Sequence, residues 1–426
     1  MSRKYQVLPP TAPVPAPDDV LEQLVRQGAR EMLQRALEAE VAEFVGRDRY
    51  ERSEEFRGYR NGYLPERTIG VGVGAVEVRV PRVSDVPAEV APEGFHSEIV
   101  EGYQRRSRTQ GRLLVRLYLE GMASGDFEPV FRALVGETAG LSEDTILKLR
   151  AEWKEEYEKW RRRPLSGRYA YLFGDGLYLK AGIEREKTAV LVILGVREDG
   201  HKELLAMEQG YRESSESWAE VLRSLKERGM RQAPHLVVGD GNLGLWAALN
   251  EVFPEARHQR CWNHKALNII DKLPKRLQPQ ARGRLREISQ APTRKECTQL
   301  RDVYRDELRI SGQGPAADCL ERDWEEMTAF YDFPQEHWLH LRTSNPIESI
   351  FAGVRLRTNA TKRMRVRENA LYLVFKLVCR LSLNWRAINA PNQLTLLLAG
   401  HRYVDGKLVL ADADANAATE RRAVGA

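Results

Sequence analysis

Between residues 169 and 272 the apolar patterning switches period often enough to dictate most of an architecture. Three runs at 169–180, 188–196 and 201–207 have strand length, and the middle one is almost continuously apolar. Runs of that length, bounded by turn residues, read as strands, and an unbroken apolar one as a strand buried on both faces. A turn at Glu198-Asp199-Gly200 joins the second run to the third. Residues 214–229 then take helical spacing with a stop at Gly229, 235–240 is a fourth apolar run, and 243–253 is a helix. A short strand at 258–262 and a helix at 264–272 complete the series. Three strands, helix, strand, helix, strand, helix predicts an α/β core on a mixed sheet.

That order is the one expected of an RNase H-like α/β core. Residues 275–340 keep helical periodicity and high charge without a convincing strand, so they read as an all-α insertion between a first core part, 166–274, and a core return with a C-terminal helix, 341–390. Ahead of the core, 1–19 is a Pro-rich leader expected to be disordered. Residues 20–165 form an expected N-terminal, mainly helical region for DNA binding or dimerisation. Within it, 20–45 has amphipathic helical spacing, Asn61-Gly62 signals a tight turn, and 74–81 alternates as a strand. Arg60, Arg67, Arg79 and Arg82 would lie either on phosphates or on a solvated sheet face. Three short helices near 112–153 suggest a helix-turn-helix, with Lys148 and Arg150 facing outward. The run Arg161-Arg162-Arg163-Pro164-Leu165-Ser166-Gly167 reads as a linker, 366–386 as a last amphipathic helix, and 411–426 as a frayed Ala-rich tail.

Composition bounds the partners. A net charge of +5 over 426 residues is modest, but it is unevenly spread. Residues 257–286 hold nine Lys/Arg against one acid, and 341–380 hold nine against two. Two such segments favour a polyanion, although a solvated, charge-laced helical surface has the same composition. The four cysteines (Cys261, Cys297, Cys319, Cys379) have no framework spacing, which suits a reducing compartment. No secretory signal and no 18-residue apolar stretch is visible, so an intracellular chain without a membrane span is expected.

Three carboxylates stand out. Asp175 falls in the first core strand and Asp240 at the end of the fourth. Glu348 falls in the first turn of a helix whose start is signalled by Asn345 as N-cap and Pro346 at N1. Ile347, Ile350, Phe351 and Val354 then mark one buried face of that helix. Glu348 could simply complete a capping box, and the glycines around each aspartate could mark turns. If first and fourth strands are neighbours, however, all three acids meet. Convergent carboxylates either protonate or hold a metal, and hard oxygen ligands select Mg²⁺ or Mn²⁺. Two such ions can activate one oxygen and stabilise the leaving oxygen of a phosphodiester.

The chain resembles bacterial insertion-sequence transposases of the Mutator-like type, which are DDE transposases. The resemblance is carried by Tyr171-Leu-Phe-Gly-Asp-Gly-Leu-Tyr-Leu-Lys180, Val237-Val-Gly-Asp-Gly-Asn-Leu-Gly-Leu-Trp246, Arg260-Cys-Trp-Asn-His-Lys-Ala-Leu-Asn268 and the stretch from Leu341 to Thr358. It implies that Asp175, Asp240 and Glu348 are the catalytic, metal-binding triad, with two Mg²⁺ or Mn²⁺ ions. It also implies that Cys261 and His264 are a family Cys-x-x-His. The implied reaction is hydrolysis at the element's end to free a 3′-OH, followed by attack of that hydroxyl on target DNA. Arg342, Arg355, Arg357, Lys362 and Arg363 would join Arg60, Lys148 and Arg150 in contacting double-stranded DNA. A homo-oligomer in the bacterial cytoplasm, associated with the nucleoid, is expected. The wording of 121–130 departs from the family in the helix-turn-helix region.

Cys261 and His264 either order the site by hydrogen bonds or, with His258, His337 and His340, hold zinc. Trp246 and Trp262 either stack on an unpaired base or fill the core. Two other functions share much of this pattern: an RNase H-like nuclease that cuts without joining, and a domesticated DNA-binding protein without chemistry.

Overall fold

The computed structural model describes residues 20–48, 55–101, 143–179, 188–210, 214–360 and 367–409, with isolated positions 51, 107 and 113. These fall into two compact units that divide between Leu147 and Lys148.

The first unit is built on one long helix, α1 (Val20–Val45). Leu37 on one of its faces packs with Ile69, Val76, Val78, Val80 and Val100. Those residues come from β2 (Arg67–Val71), β3 (Gly74–Val78) and the chain beyond them. β2 and β3 form an antiparallel hairpin, and β1 (Tyr59–Tyr63) pairs antiparallel with β4 (Pro81–Ser84). Between residues 20 and 101 the described residues thus form one helix with four short strands. The expected tight turn at Asn61-Gly62 is also corrected. Both residues lie inside β1, where the register slips between Arg60 and Tyr63 and Gly62 has φ +62°. Two residues face one across the pair, and a left-handed glycine makes this a bulge rather than a hairpin turn. Leu24, Val25 and Met32 are exposed on the face of α1 away from Leu37. The first two helices of the expected helix-turn-helix lie outside the described residues apart from position 113, and the third falls in α2 (Glu143–Arg161).

The second unit is organised by a five-stranded sheet. Its strands are β5 (Tyr169–Leu179), β6 (Thr188–Arg197), β7 (Lys202–Gly210), β8 (Leu236–Gly239) and β9 (Arg257–Arg260), in the spatial order β7-β6-β5-β8-β9. The first three form an antiparallel meander, and β8 and β9 run parallel to β5. The expected order of elements is present, with most ends shifted by one or two residues.

One face of the sheet is covered by α3 (Ser215–Glu227) and α4 (Leu243–Val252). α3 starts where Ser214 Oγ accepts from Ser217 N at 3.2 Å, and it buries Trp218, Leu222 and Leu225 on one stripe. Each such burial contributes about 2 kcal/mol. On α2, Tyr157 and Trp160 pack against Tyr372 and Phe375 of α12 (Arg367–Ser382), and Tyr157 OH donates to Met207 O at 2.7 Å. The run at 161–167, read as a linker, is tied down: Leu165 is buried and its N–H donates to Arg228 O at 2.6 Å.

After β9 come α5 (Trp262–Ile270), α6 (Gln278–Ser289), α7 (Arg294–Ile310), α8 (Gly314–Glu321), α9 (Trp324–Thr328) and α10 (Trp338–Leu341). Residues 275–341 contain only α-helices, short 3₁₀ turns and their connections. The chain continues through α11 (Asn345–Ala360), α12 and α13 (Asn392–Leu398) to a small hairpin of β10 (Arg402–Val404) and β11 (Lys407–Val409). That hairpin was not expected, although Asp405-Gly406 at its tip, with φ +46° and +76°, is a strong hairpin signal. Among the described residues no helix is long and apolar enough to cross a membrane.

Candidate active site at the end of β5 and β8

The parallel pairing of β5 with β8 decides where the two aspartates lie. Tyr171, Leu172 and Phe173 are level with Leu236, Val237 and Val238. Two residues beyond the last pair come Asp175, still inside β5, and Asp240, just past the end of β8. Side chains alternate across a sheet, and Leu172 and Val237 both belong to the core under α3 and α4. Asp175 and Asp240, an odd number of residues beyond them, fall on the opposite face.

Their local settings differ. Asp175 lies inside β5, opposite Val192 of β6, so it is a strand residue and not a turn. It is half-buried, and its Oδ1 accepts from Gly176 N at 2.7 Å. Asp240 follows the last residue of β8, and its Oδ1 accepts from Asn242 N at 2.8 Å. Asn242 in turn caps α4 by accepting from Gly244 N at 2.7 Å. The turn between them needs Gly241, whose φ is +95° and whose hypothetical Cβ would sit 2.4 Å from Arg260 Nε.

Cys261 joins this strand end to Glu348. Its N–H donates to Gly239 O at 2.7 Å, and its fully buried side chain sits at the start of α5. Ser344 then bridges the two helices. Its N–H donates to Cys261 Sγ at 3.2 Å and its hydroxyl donates to Glu348 Oε1 at 2.5 Å. Trp262 N donates to Arg342 O at 2.9 Å, and Asn263 Nδ2 to Asn345 Oδ1 at 2.9 Å. The helix start is thus one residue earlier than expected. Ser344 O accepts from Ile347 and Glu348 N–H groups, which makes Ser344 the N-cap and places Asn345 in the first turn. Glu348 accepts from the cap hydroxyl rather than closing a capping box.

His264 completes the cluster. Its Nδ1 lies 3.6 Å from Glu348 Oε1, and Cys261 Sγ lies 4.0 Å from the same oxygen. The adjacent Cys261 side chain raises the His264 pKa to about 9, against burial, and the charges of Glu348 and Asp175 add to the rise. Asp175 therefore lies within electrostatic reach of the cluster. Ser344 is the member that motif reasoning missed. Its signal was present in Thr343-Ser344-Asn345-Pro346, where a cap-forming serine precedes the proline by two.

The remaining expected ligands go elsewhere. His337 is buried, with Nδ1 2.7 Å from Tyr171 OH and Nε2 3.2 Å from Ala390 O. His340 Nε2 accepts from Asn389 N at 3.3 Å, and His258 stacks on Trp246 at 4.6 Å. A zinc site joining all of them to Cys261 and His264 does not form. Trp262 is a core residue whose indole donates to Met327 O at 2.8 Å, and Trp246 is half-buried against the α4 core.

Of the expected DNA contacts, Arg355 is exposed on α11, its guanidinium 5.9 Å from the Phe351 ring. Arg342 is turned onto Phe330 and Trp338, at 5.3 and 5.9 Å, and burial lowers its pKa. Arg60 is paired with Glu38 in the first unit. Lys148 and Arg150 lie on α2 and Arg357 on α11, with side chains outside the described residues, as are Lys362 and Arg363. The basic run 257–286 is partly neutralised from within. Arg257 pairs with Asp332, Arg260 and Lys265 with Asp323, and Arg284 with Glu307.

A family model described as "Transposase, Mutator family" matches residues 12–387. The chain is 44% identical over 299 residues to a transposase for insertion sequence element IS6120 from Mycolicibacterium smegmatis, covering 70% of this chain and 92% of that one. It is 43% identical over 275 residues to the transposase for element IST2 of Acidithiobacillus ferrooxidans, covering 64% and 93%. It is 30% identical over 370 residues to the transposase for element ISRM5 of Rhizobium meliloti, covering 86% and 89%.

Proposed function

The chain belongs to the Mutator family of transposases, and on that footing we propose that it cleaves the ends of an insertion sequence and joins the freed 3′-OH to target DNA. The observation that carries the reading is the pairing of β5, which holds Asp175, with β8, which Asp240 follows, and the link from that strand end to Glu348 through Cys261 and Ser344. Three antiparallel strands followed by two parallel ones, with the first and fourth adjacent, support an RNase H-like core. On this reading the helical stretch 275–340 is an insertion into that core.

The donor set fits Mg²⁺ or Mn²⁺. Asp175 and Asp240 each accept a backbone N–H through one oxygen, which fixes the orientation of the carboxylate. Asp175, Asp240 and Glu348 would hold the ions, which supply a nucleophile at neutral pH and stabilise the leaving oxygen. Ser344 orients Glu348 through one oxygen. Arg355, two helical turns from Glu348, offers its charge to phosphate. Bringing two element ends together calls for more than one copy, and the exposed Leu24, Val25 and Met32 face of α1 supports self-association. A single-chain mass on DNA would contradict it.

The test uses purified protein, Mg²⁺ and labelled DNA carrying the repeats that flank its own gene. Joined products from wild type, absent in Asp175→Asn and Glu348→Gln, are expected. Nicks without joints would make it a nuclease, and specific binding without cutting a DNA-binding protein.

A further inference from the structure

We infer that Cys261, His264 and Glu348 form a second metal site, of the thiophilic Zn²⁺ class, adjoining the oxygen-only centre and sharing Glu348 with it. One ligand atom from each lies within 4.8 Å of the other two. In a tetrahedral zinc site, Zn–S and Zn–N/O lengths of about 2.3 and 2.1 Å place ligand atoms about 3.4–3.6 Å apart. The observed separations from Glu348 Oε1, 3.6 Å to His264 Nδ1 and 4.0 Å to Cys261 Sγ, are within a few tenths of an ångström of that. His264 Nδ1 is buried, with no hydrogen bond of its own, and faces Glu348 Oε1, the position a nitrogen ligand would take.

Position and chemistry both narrow the occupant. Cys261 and His264, three apart at the start of α5, face the first turn of α11 from one side. Thiol and imidazole exclude Mg²⁺, which takes hard oxygen donors, and select Zn²⁺ or Co²⁺. Among the described residues three protein ligands converge, and His264 and Glu348 are about one-third exposed, so the fourth position opens to solvent. Three ligands and an open position differ from the closed four-ligand sites that hold folds together. The geometry is that of an open, three-ligand site. The inference shares Glu348 with the cleavage reading but does not rest on it.

The test is a Co²⁺ titration of the metal-free full-length protein, followed by its thiolate-to-cobalt absorption band. One Co²⁺ per chain with that band, displaced by Zn²⁺ and not by Mg²⁺, is expected. Cys261→Ser should abolish the band, and His264→Ala or Glu348→Gln should weaken binding at least about tenfold. Asp240→Asn should bind as wild type does. No band, or a band that survives Cys261→Ser and so belongs to another cysteine, overturns the inference. If Cys261→Ser does not fold, His264→Ala decides, because its side chain lies at the rim. Loss of cleavage in Asp240→Asn is a separate readout, so either reading can fail without the other.

Discussion

Ser344 donates its hydroxyl to Glu348 Oε1 at 2.5 Å and its backbone N–H to Cys261 Sγ at 3.2 Å, and it has no exposed surface. One small side chain thus fixes the glutamate against the helix that carries Cys-x-x-His. A carboxylate held by a hydrogen bond keeps its orientation at no cost during reaction, and losing such a support typically costs 10–100-fold. Ser344→Ala is expected to lower single-turnover cleavage by about that factor and to raise the Mg²⁺ concentration needed. Ser344→Thr, which keeps the hydroxyl, should restore much of both. Equal activity and equal Mg²⁺ dependence in Ser344→Ala would remove the positioning role.

Asp323 answers two cations at once. Lys265, 1% exposed, donates to it at 2.9 Å and Arg260 also pairs with it. Asp323 has φ +60°, which asparagine tolerates well, so Asp323→Asn removes charge without changing backbone preference. It leaves a buried ammonium uncompensated and is expected to cost about 3 kcal/mol in chemical denaturation. A change below about 0.5 kcal/mol would show that the pair contributes nothing.

Acid should loosen the second unit. Burial lowers the pKa of His337, and likewise of His235, His258 and His340. In the unfolded chain these imidazoles take protons near pH 6.5, while the folded chain resists them. At these four sites the unfolded state then binds more protons, so their contribution is full above about pH 7 and falls as pH drops through the unfolded value, whereas His264, raised to about 9, contributes with the opposite sign. Equilibrium unfolding between pH 7.5 and 5 should show this loss, with a smaller slope in His337→Gln. An unchanged slope would mean that His337 is protonated in the fold.

Arg355 is the best-placed candidate phosphate contact among the described residues. Arg355→Glu is expected to weaken DNA binding across all sequences and to reduce the salt slope by about one. Binding isotherms at several salt concentrations measure both. A sequence-dependent loss with an unchanged slope would assign the residue to base reading instead.

The elements that positioned the site were legible because they depend on local rules. Strand length, period and the glycines beside Asp175 and Asp240 set β5 and β8, and proline marked the start of α11. The cap itself was misplaced by one residue, since Ser344 and Asn345 are both good caps and only tertiary contact with Cys261 decides between them. Charge was read too literally. The acids that answer Arg257, Arg260 and Arg284 are 23 to 75 residues away in sequence, beyond any local pattern. Asn61-Gly62 misled for the same reason, because a left-handed glycine serves a bulge as well as a turn and the partner strand makes the choice. Asp405-Gly406 had the same local signal and did form the turn.

The most direct measurement maps the ion against the chain. Fe²⁺ substituted for Mg²⁺, with ascorbate and peroxide, generates hydroxyl radicals that cut the polypeptide next to the bound metal. Convergence of the carboxylates predicts cuts near 175, 240 and 348 together, all suppressed by excess Mg²⁺ and all lost in Asp240→Asn. Cuts near 348 alone, or cuts that persist in Asp240→Asn, would contradict a shared centre.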